Sequence, residues 1–432
     1  MSKDFFITDH RIFDPLHKFI RFDELEKEII NSFPFQRLHD LKQLGATYLV
    51  YPGATHTRFA HSLGVMHIAT TIYETICKFI RPDIFHFVPR KGSAEYFYWK
   101  KVIRVAALCH DLGHLPFSHV AEKDLLGEKG HEELTQKIIY SDFLMPIFEK
   151  MMNKEGYLPH EIKRNFVEDV CRASLGPDSF SESSSWEKIM SQIITADFFG
   201  ADRIDYLLRD SLSTGVMHGS FDFHQLIEML RILPCEDGQF CLGIDAKGVE
   251  SCEALLLARY FMYRRIYQHP AVMSYHFHLR RFMKGYFEEF DFNNVDKYLK
   301  NSDSNILLSM KNAAFDEEHP LQSEARRVLF KGKRFKAIPI PIEVDLSEFK
   351  KSCDFPSDQV FFEESEAFLS ENDLSFPVAK ELFSIKPVEA FSEILNSIPA
   401  TSRNWVFAHQ DVYEKVIQKV QAMVKGSSVS KN

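Results

Sequence analysis

Residues 58–80, RFAHSLGVMHIATTIYETICKFI, carry a strong apolar period. His61, Val65, Ile68, Ile72 and Ile76 recur at spacings of four, three, four and four, which is one stripe of an α-helix. A histidine therefore stands near the start of a buried face. KVIRVAALCHDLGH, residues 101–114, predicts a second helix with Ile103, Ala107, His110 and His114 on one face. It is apolar up to Cys109 and ionisable after it, the pattern of a helix that delivers ligands from a core into a pocket. A further helical pattern from Glu187 to Arg209 carries Asp202.

Other segments complete the outline. FFITDHRIFDPLHKFIRF reads as a β-hairpin turning at Asp14-Pro15, and FDELEKEIINSF as a helix. FQRLHDLKQLG predicts a short helix stopped by Gly45. Residues 82–98, with Pro82, Pro89 and Gly92, read as a loop insertion. Residues 131–175 are helical in pattern, and SLGPDSFSESSSW is a loop. Residues 221–234 read as helix, 235–248 as a glycine-bearing hairpin, and 249–287 as one long helix or a pair. KRFKAIPIPIEV and DQVFFEES predict strands, and NWVFAHQDVYEKVIQKVQAMV a strand followed by a helix. The expected fold is mainly α: a β-hairpin arm at 1–30, a helical body at 31–324 and a smaller α+β lobe at 325–425. Residues 426–432 are expected to be a disordered tail.

The 432 residues allow two or three domains, or one large helical body with a subdomain. The 40 phenylalanines point to aromatic-rich packing. A net charge of −9 argues against broad nucleic-acid binding, which needs a basic surface. Seven cysteines without CxxC spacing suggest free thiols in a reducing compartment. No secretory signal is visible and no apolar run is long enough to span a bilayer, so a cytoplasmic protein without a membrane partner is expected.

Candidate chemistry centres on His110 and Asp111. The adjacent imidazole and carboxylate can reach one ion, and His61 and Asp202 can complete its shell. Mn²⁺, Fe²⁺ and Zn²⁺ accept such mixed ligands, and an ion of this kind makes bound water acidic. A lone His-Asp pair says little, since a single histidine on an apolar face is ordinarily a core residue. HDLGH followed by His119 and His131 says more. Asp202, Tyr206, Arg209 and Asp210 fall near one helical face. That face fits a site, and equally a solvated surface held by an Asp205–Arg209 pair.

At this point the chain resembles the HD-domain phosphohydrolases of the deoxynucleoside-triphosphate triphosphohydrolase branch, with a closer likeness to the vertebrate SAM-and-HD-domain enzymes. The matching segments are FQRLHDLKQLGATYLVYPGATHTRFAHSLGVMHIA, AALCHDLGHLPFSHV, GHEELT, ADRIDYLLRDSLSTG and YRRIYQHP, in matching order over roughly 30–290. No SAM domain is expected ahead of the match. The resemblance implies a helical HD-domain core in which His61, His110, Asp111 and Asp202 bind a divalent metal (Mn, Fe, Zn or Mg), with His114, His119, His131 and Glu132 as the catalytic surround. It implies water attack at the α-phosphorus of a dNTP and release of a deoxynucleoside and inorganic triphosphate. A poor alkoxide leaving group needs a proton, and His119 is the candidate acid, its charged form held by Glu132 through His131.

The resemblance also places Arg58, Arg203 and Arg259 on the phosphates, and Gln43, Leu44, Tyr206, Asp210 and Tyr267 around the deoxyribose. Arg203 stands where the family often has lysine. Arg259, Tyr263 and Tyr267 form a stripe at spacings of four, with Tyr263 in place of a histidine of the vertebrate relatives. An aromatic ring against C2′ would exclude a ribose hydroxyl, and Asp210 could accept from the 3′-OH. A homo-oligomer, dimer or tetramer, and a nucleotide activator are further expectations. The aspartate and arginine that read an activating guanine are replaced here by Asn31 and His39. The alternatives are hydrolysis of another phosphoester (a nucleoside monophosphate or a nucleic-acid end) and a catalytically inactive nucleotide-binding regulator.

Overall fold

The computed structural model describes residues 10–429 apart from 128, 177–184, 197, 236–237, 331, 342–343, 365–375, 382–383 and 399–403. The 1–9 segment, most of the expected SLGPDSFSESSSW loop and residues 430–432 lie outside the described residues.

The chain opens on an antiparallel hairpin, β1 (His10–Asp14) and β2 (Lys18–Phe22), in register from His10↔Phe22 to Asp14↔Lys18. The helices α1 (Glu24–Ile30) and α2 (Phe33–Arg37) follow. Asp23 caps α1 in a capping box with Glu26. FQRLHDLKQLG is helical only in its first half: a 3₁₀ turn covers Leu38–Asp40, and Lys42 then leaves the helix to bridge Thr57.

The centre of the body is built on α3 (Arg58–Lys78), which packs against α4 (Ala94–Cys109). Val65, Ile68, Ile72 and Ile76 are fully buried, as their spacing predicts. The expected loop at 82–98 ends earlier, because Ser93 caps α4 through the Tyr96 amide. Next come α5 (Glu122–Leu126), α6 (Glu132–Ile139), α7 (Met145–Asn153), α8 (Phe166–Leu175), α9 (Ser185–Thr195) and α10 (Ala201–Thr214). The helical pattern from Glu187 to Arg209 is thus two helices, with Gly200 at the N-cap of α10.

The 221–234 segment differs from the expected helix: α11 (Phe223–Glu228) is short, and β3 (Leu230–Pro234) pairs antiparallel with β4 (Phe240–Asp245). Ile232 and Leu233 are both buried, so the run is apolar on two faces and its period cannot tell strand from helix. Cys235 and Cys241 are joined as a disulfide across this hairpin, where free thiols were expected. The turn folds them together, a proximity that CxxC spacing does not capture. The remaining cysteines are free.

After α12 (Val249–Met262) a π-helical turn at Tyr263–Tyr267 precedes α13 (Pro270–Tyr286). Then follow α14 (Val295–Leu299), α15 (Asp303–Phe315) and α16 (Gln322–Leu329). In the C-terminal region β5 (Lys336–Ile340), α17 (Leu346–Ser352), β6 (Val360–Glu363), β7 (Pro377–Glu381), β8 (Ser384–Pro387), α18 (Glu393–Ser397), β9 (Asn404–Ala408) and α19 (Tyr413–Val429) complete the fold. An antiparallel sheet of order β5-β9-β6 supports the lobe. Strands β7 and β8 extend the β3–β4 hairpin instead, β7 lying parallel to β4. Helix α19 reaches Val429, inside the segment expected to be a disordered tail. The architecture is mainly α with small sheets, as predicted. Among the described residues no helix is long and apolar enough to cross a membrane.

A buried ion network ties the first helix to α4. Arg104 grips Glu26 with two bonds, Nε to Oε1 at 2.6 Å and Nη2 to Oε2 at 2.7 Å. Lys101 pairs with Asp23 beside it. Burial opposes Glu26's charge, but Arg104 and Lys101 outweigh it and bring the carboxyl down to about 2. Because the folded value lies below the ordinary 4.5, this stabilisation is complete above pH 4.5 and is lost as pH falls toward 2. Glu26→Gln should cost about 3–5 kcal/mol in denaturant unfolding, since it leaves a buried guanidinium uncompensated. It should also flatten the loss of stability between those pH values.

Candidate active site

His61 sits one turn into α3 and is fully buried. Its Nδ1 lies 2.8 Å from Asp205 Oδ2, and its Nε2 lies 2.9 Å from Asp202 Oδ1 and 3.6 Å from Asp111 Oδ2. His110 is the C-cap of α4. Its Nδ1 is 2.8 Å from the Ala107 carbonyl oxygen, and its buried Nε2 makes no hydrogen bond. That Nε2 stands 3.3 Å from Asp111 Oδ1 and 3.9 Å from Asp202 Oδ1. Each imidazole is thus oriented through one nitrogen while the other faces carboxylates, the arrangement of metal-ligating histidines with an outer hydrogen-bond partner. The orphaned His110 nitrogen and the group of His61, His110 and Asp111 fit a divalent ion, and Asp202 Oδ1 faces both imidazoles.

HDLGH is not the last turn of a helix. α4 ends at Cys109, and residues 111–114 form a turn. The turn brings His114 Nε2 to 3.1 Å from Asp111 Oδ1.

Electrostatics reinforce the geometry. Burial alone would discharge His61, but the hydrogen bonds it donates to Asp202 and Asp205, with Asp111 nearby, push it up to about 10. Such a concentration of carboxylates attracts cations. Asp202 begins α10, where the helix N-terminus favours a carboxylate. His114 is lowered to about 3 by burial, Arg58 and His131, so it is a neutral imidazole.

Asp205 was one half of the alternative, solvated reading of the DRIDYLLRD face. It is instead fully buried beneath His61, bonded by Arg209 at 2.8 and 3.0 Å and by His17 Nε2 at 2.6 Å. Arg209 also reaches Asp14 at 2.8 Å, so the β1–β2 turn braces the centre from outside. Gly64 makes this possible: a Cβ there would lie 1.9 Å from Asp205 Oδ1.

The carboxylate beside His119 and His131 is Glu122, where Glu132 was expected. Its carboxylate lies 2.7 Å from His119 Nδ1 and 2.5 Å from His131 Nδ1, and it accepts the His131 amide at 2.7 Å. Burial opposes its charge, but the imidazoles of His114, His119 and His131 outweigh this and hold the carboxyl far below the usual range. His131 stacks on His114 at 3.5 Å. Gly130, at φ +53°, leaves room for Glu122 Oε1, which a Cβ would approach to 2.5 Å. Glu132 is exposed at the start of α6 and borders the larger cavity. His119 projects from a strained turn in which Phe117 and Ser118 both have left-handed φ, +57° and +59°. Asp303 holds that turn by accepting from the Phe117 amide at 2.6 Å.

Two cavities meet here. One, of about 830 Å³, is lined by His110, Asp111, His114, His131, Asp202 and Lys129. The other, of about 370 Å³, is lined by Leu44, Asp210, Tyr263 and Tyr267. Gln43, Arg58, His119 and Tyr206 line both. Arg58 binds Asp111 Oδ2 at 2.6 Å and Ser118 Oγ at 2.8 Å. Asp210 is held by Tyr267 OH at 2.7 Å and His56 Nε2 at 2.6 Å, and Gln43 Oε1 is buried without a hydrogen bond. Arg203 and Arg259 act electrostatically on the Tyr206 phenol but form no part of either wall. Asn31 ends α1, and His39 stacks on Phe59 at 3.5 Å, so neither supplies the lost aspartate–arginine pair.

Glu122, Asp205, His56 and Lys129 stand at or beside the site without having been expected there. Helical spacing offered a signal for two of them. Glu122 follows His119 by three residues, and Asp205 follows Asp202 by three.

A helical body presenting a His₂Asp₂ centre beside a histidine–carboxylate cluster defines a metal-site protein of the helical class. The HD domain pattern matches residues 58–173 and the HD associated region pattern matches residues 221–340, so the chain carries an HD domain followed by an HD associated region. It is 35% identical over 319 residues to an uncharacterised protein of Methanocaldococcus jannaschii, covering 74% of this chain and 58% of that one. It is 30% identical over 283 residues to human deoxynucleoside triphosphate triphosphohydrolase SAMHD1, covering 59% of this chain and 41% of that one. The chain thus spans between half and two thirds of the length of the first curated relatives it matches. A crystallised hypothetical protein from Aquifex aeolicus superposes with a TM-score of 0.75 at 29% identity, covering 95% of this chain and 99% of that one. A phosphohydrolase from Bacteroides thetaiotaomicron shares the fold, with a TM-score of 0.70 at 22% identity over 93% of this chain and 99% of that one.

Proposed function

We propose that this protein is a metal-dependent dNTP triphosphohydrolase that releases a deoxynucleoside and inorganic triphosphate. The observation that carries the proposal is the junction of the two cavities. The ligand-lined cavity and the tyrosine-lined one share Gln43, Arg58, His119 and Tyr206. A nucleotide laid across that junction puts its phosphates beside His61, His110, Asp111 and Asp202 and its sugar beside Tyr206, Asp210 and Tyr267. The name of the human relative agrees with this reading.

A divalent ion held by the four ligands would polarise the phosphate and make a water acidic. The protein's own groups do the rest. Arg58 and Lys129 line the phosphate cavity and offset developing charge. Water attacks the α-phosphorus and the P–O5′ bond breaks. The departing 5′-oxygen takes its proton from His119, whose imidazole is anchored through Nδ1 on Glu122 and so presents Nε2. Tyr267, fixed by its bond to Asp210, crowds C2′ and favours deoxyribose over ribose.

The test is incubation of purified protein with each dNTP and Mn²⁺ or Mg²⁺. Inorganic triphosphate is the expected product, with less from the ribonucleotides. Phosphate from nucleoside monophosphates without any triphosphate would move the reading to another phosphoester. Tight binding without turnover would move it to a regulator.

A further inference from the structure

The cavity on the sugar side does not end at the sugar. Beyond Tyr267 its wall continues along one face of α13, with Met273, His276 and Arg280 at helical spacings. It closes on Glu363, which comes from β6 of the C-terminal lobe. Arg280 and Glu363 form a direct ion pair. Nothing in the proposed reaction uses this pair, and both side chains keep about a quarter of their surface exposed.

The pair is not needed to dock the lobe. An apolar cluster of Phe277, Phe335, Trp405 and Phe407, with Phe361 packed against it, already joins α13 to β5, β6 and β9. Placing a charged donor–acceptor pair at the end of a nucleoside-sized cavity instead offers hydrogen bonds to a base edge. His276 adds a third group. Burial and Arg280 lower it to about 4, so it is neutral, and its Nε2 accepts the Ala46 amide at 3.3 Å. A backbone hydrogen bond with Leu44 also holds the ring, so His276 is a fixed part of the wall beside Arg280.

We infer that Arg280 and Glu363 read the base of the substrate and that the base they select is guanine. This deepens the dNTP reading above and rests on it. Guanine presents two adjacent acceptors, O6 and N7, which suit a guanidinium, and beside O6 the N1–H and N2–H donors that suit a carboxylate. Adenine and cytosine offer fewer such contacts, and thymine has a single N–H donor. The lobe is thereby part of the substrate site, because Glu363 belongs to it.

The test compares kcat/KM for the four dNTPs in the wild type, Glu363→Gln and Arg280→Lys, with thermal melting to confirm folding. Wild type should favour dGTP over dTTP by about 10-fold or more, the range that one bidentate base contact supplies. Both variants should bring that ratio toward one, chiefly through KM. Equal kcat/KM for all four dNTPs in the wild type would overturn the inference. So would a Glu363→Gln protein that melts lower but keeps its ratio, since the pair would then only dock the lobe. Calorimetric binding of deoxyguanosine and thymidine separates this from failure of the dNTPase reading, because it needs no turnover. Tighter deoxyguanosine binding that Glu363→Gln abolishes supports base reading even if no triphosphate is released, and equal binding overturns it.

Discussion

Asp202→Ala is expected to purify as a folded protein that retains no divalent metal and releases no triphosphate. Asp202 lies at the start of α10 with its side chain about one-third exposed, so its removal opens no core cavity. It does remove the carboxylate that faces His61 Nε2 and His110 Nε2 together. Loss of an outer partner of a metal ligand costs about 10–100-fold in affinity, and loss of a ligand itself should exceed that. Metal content by mass spectrometry and triphosphate release by ion chromatography report the two losses separately. An active, metal-loaded Asp202→Ala protein would remove Asp202 from the centre.

Glu122→Gln should have nearly as large an effect by a different route. The substitution leaves all four metal ligands in place, so metal content should match the wild type. It removes the charge that His119 and His131 share, and with it the anchor of the proposed acid. General acid catalysis contributes about 10²–10⁴-fold, so kcat should fall by that order with KM less affected. If Glu122 acts through His119, the double variant Glu122→Gln/His119→Gln should be no slower than the slower single variant. Independent, multiplying losses would show that Glu122 only supports the turn structurally. Glu132→Gln is the useful contrast. Glu132 is exposed, and its substitution should cost far less.

These two residues also show where the sequence is readable. His61 was legible because an apolar stripe runs straight through it, and the structure buries that stripe completely. His110 and Asp111 were legible as a place where apolar pattern gives way to ionisable groups. Their turn was not, because nothing in HDLGH marks the end of α4 at Cys109. Asp205 and Arg209 have the spacing of a surface pair. Only burial under α3 and the docking of His17 distinguish them, and these contacts span 144 and 188 positions. Glu122 follows His119 by three residues and Glu132 adjoins His131, so sequence distance does not choose between them. The choice between them is made by the return of the chain through Gly130, which sets His131 against Glu122. Strands β5, β6 and β9 followed from their composition, whereas β7 and β8 were not expected and the pairing of β7 with β4 is a long-range event without a local signal. The reach of Glu363 into the tyrosine-lined cavity is of the same kind.

At the proposed centre water attacks the α-phosphorus of a deoxynucleotide and expels the 5′-oxygen, leaving the triphosphate chain whole. Hydrolysis of a dNTP in ¹⁸O-labelled water, with both products analysed by mass spectrometry, tests it most directly. One ¹⁸O atom in the inorganic triphosphate and none in the deoxynucleoside is the predicted result. Release of a monophosphate with pyrophosphate, or label in the 5′-hydroxyl of the deoxynucleoside, would contradict it.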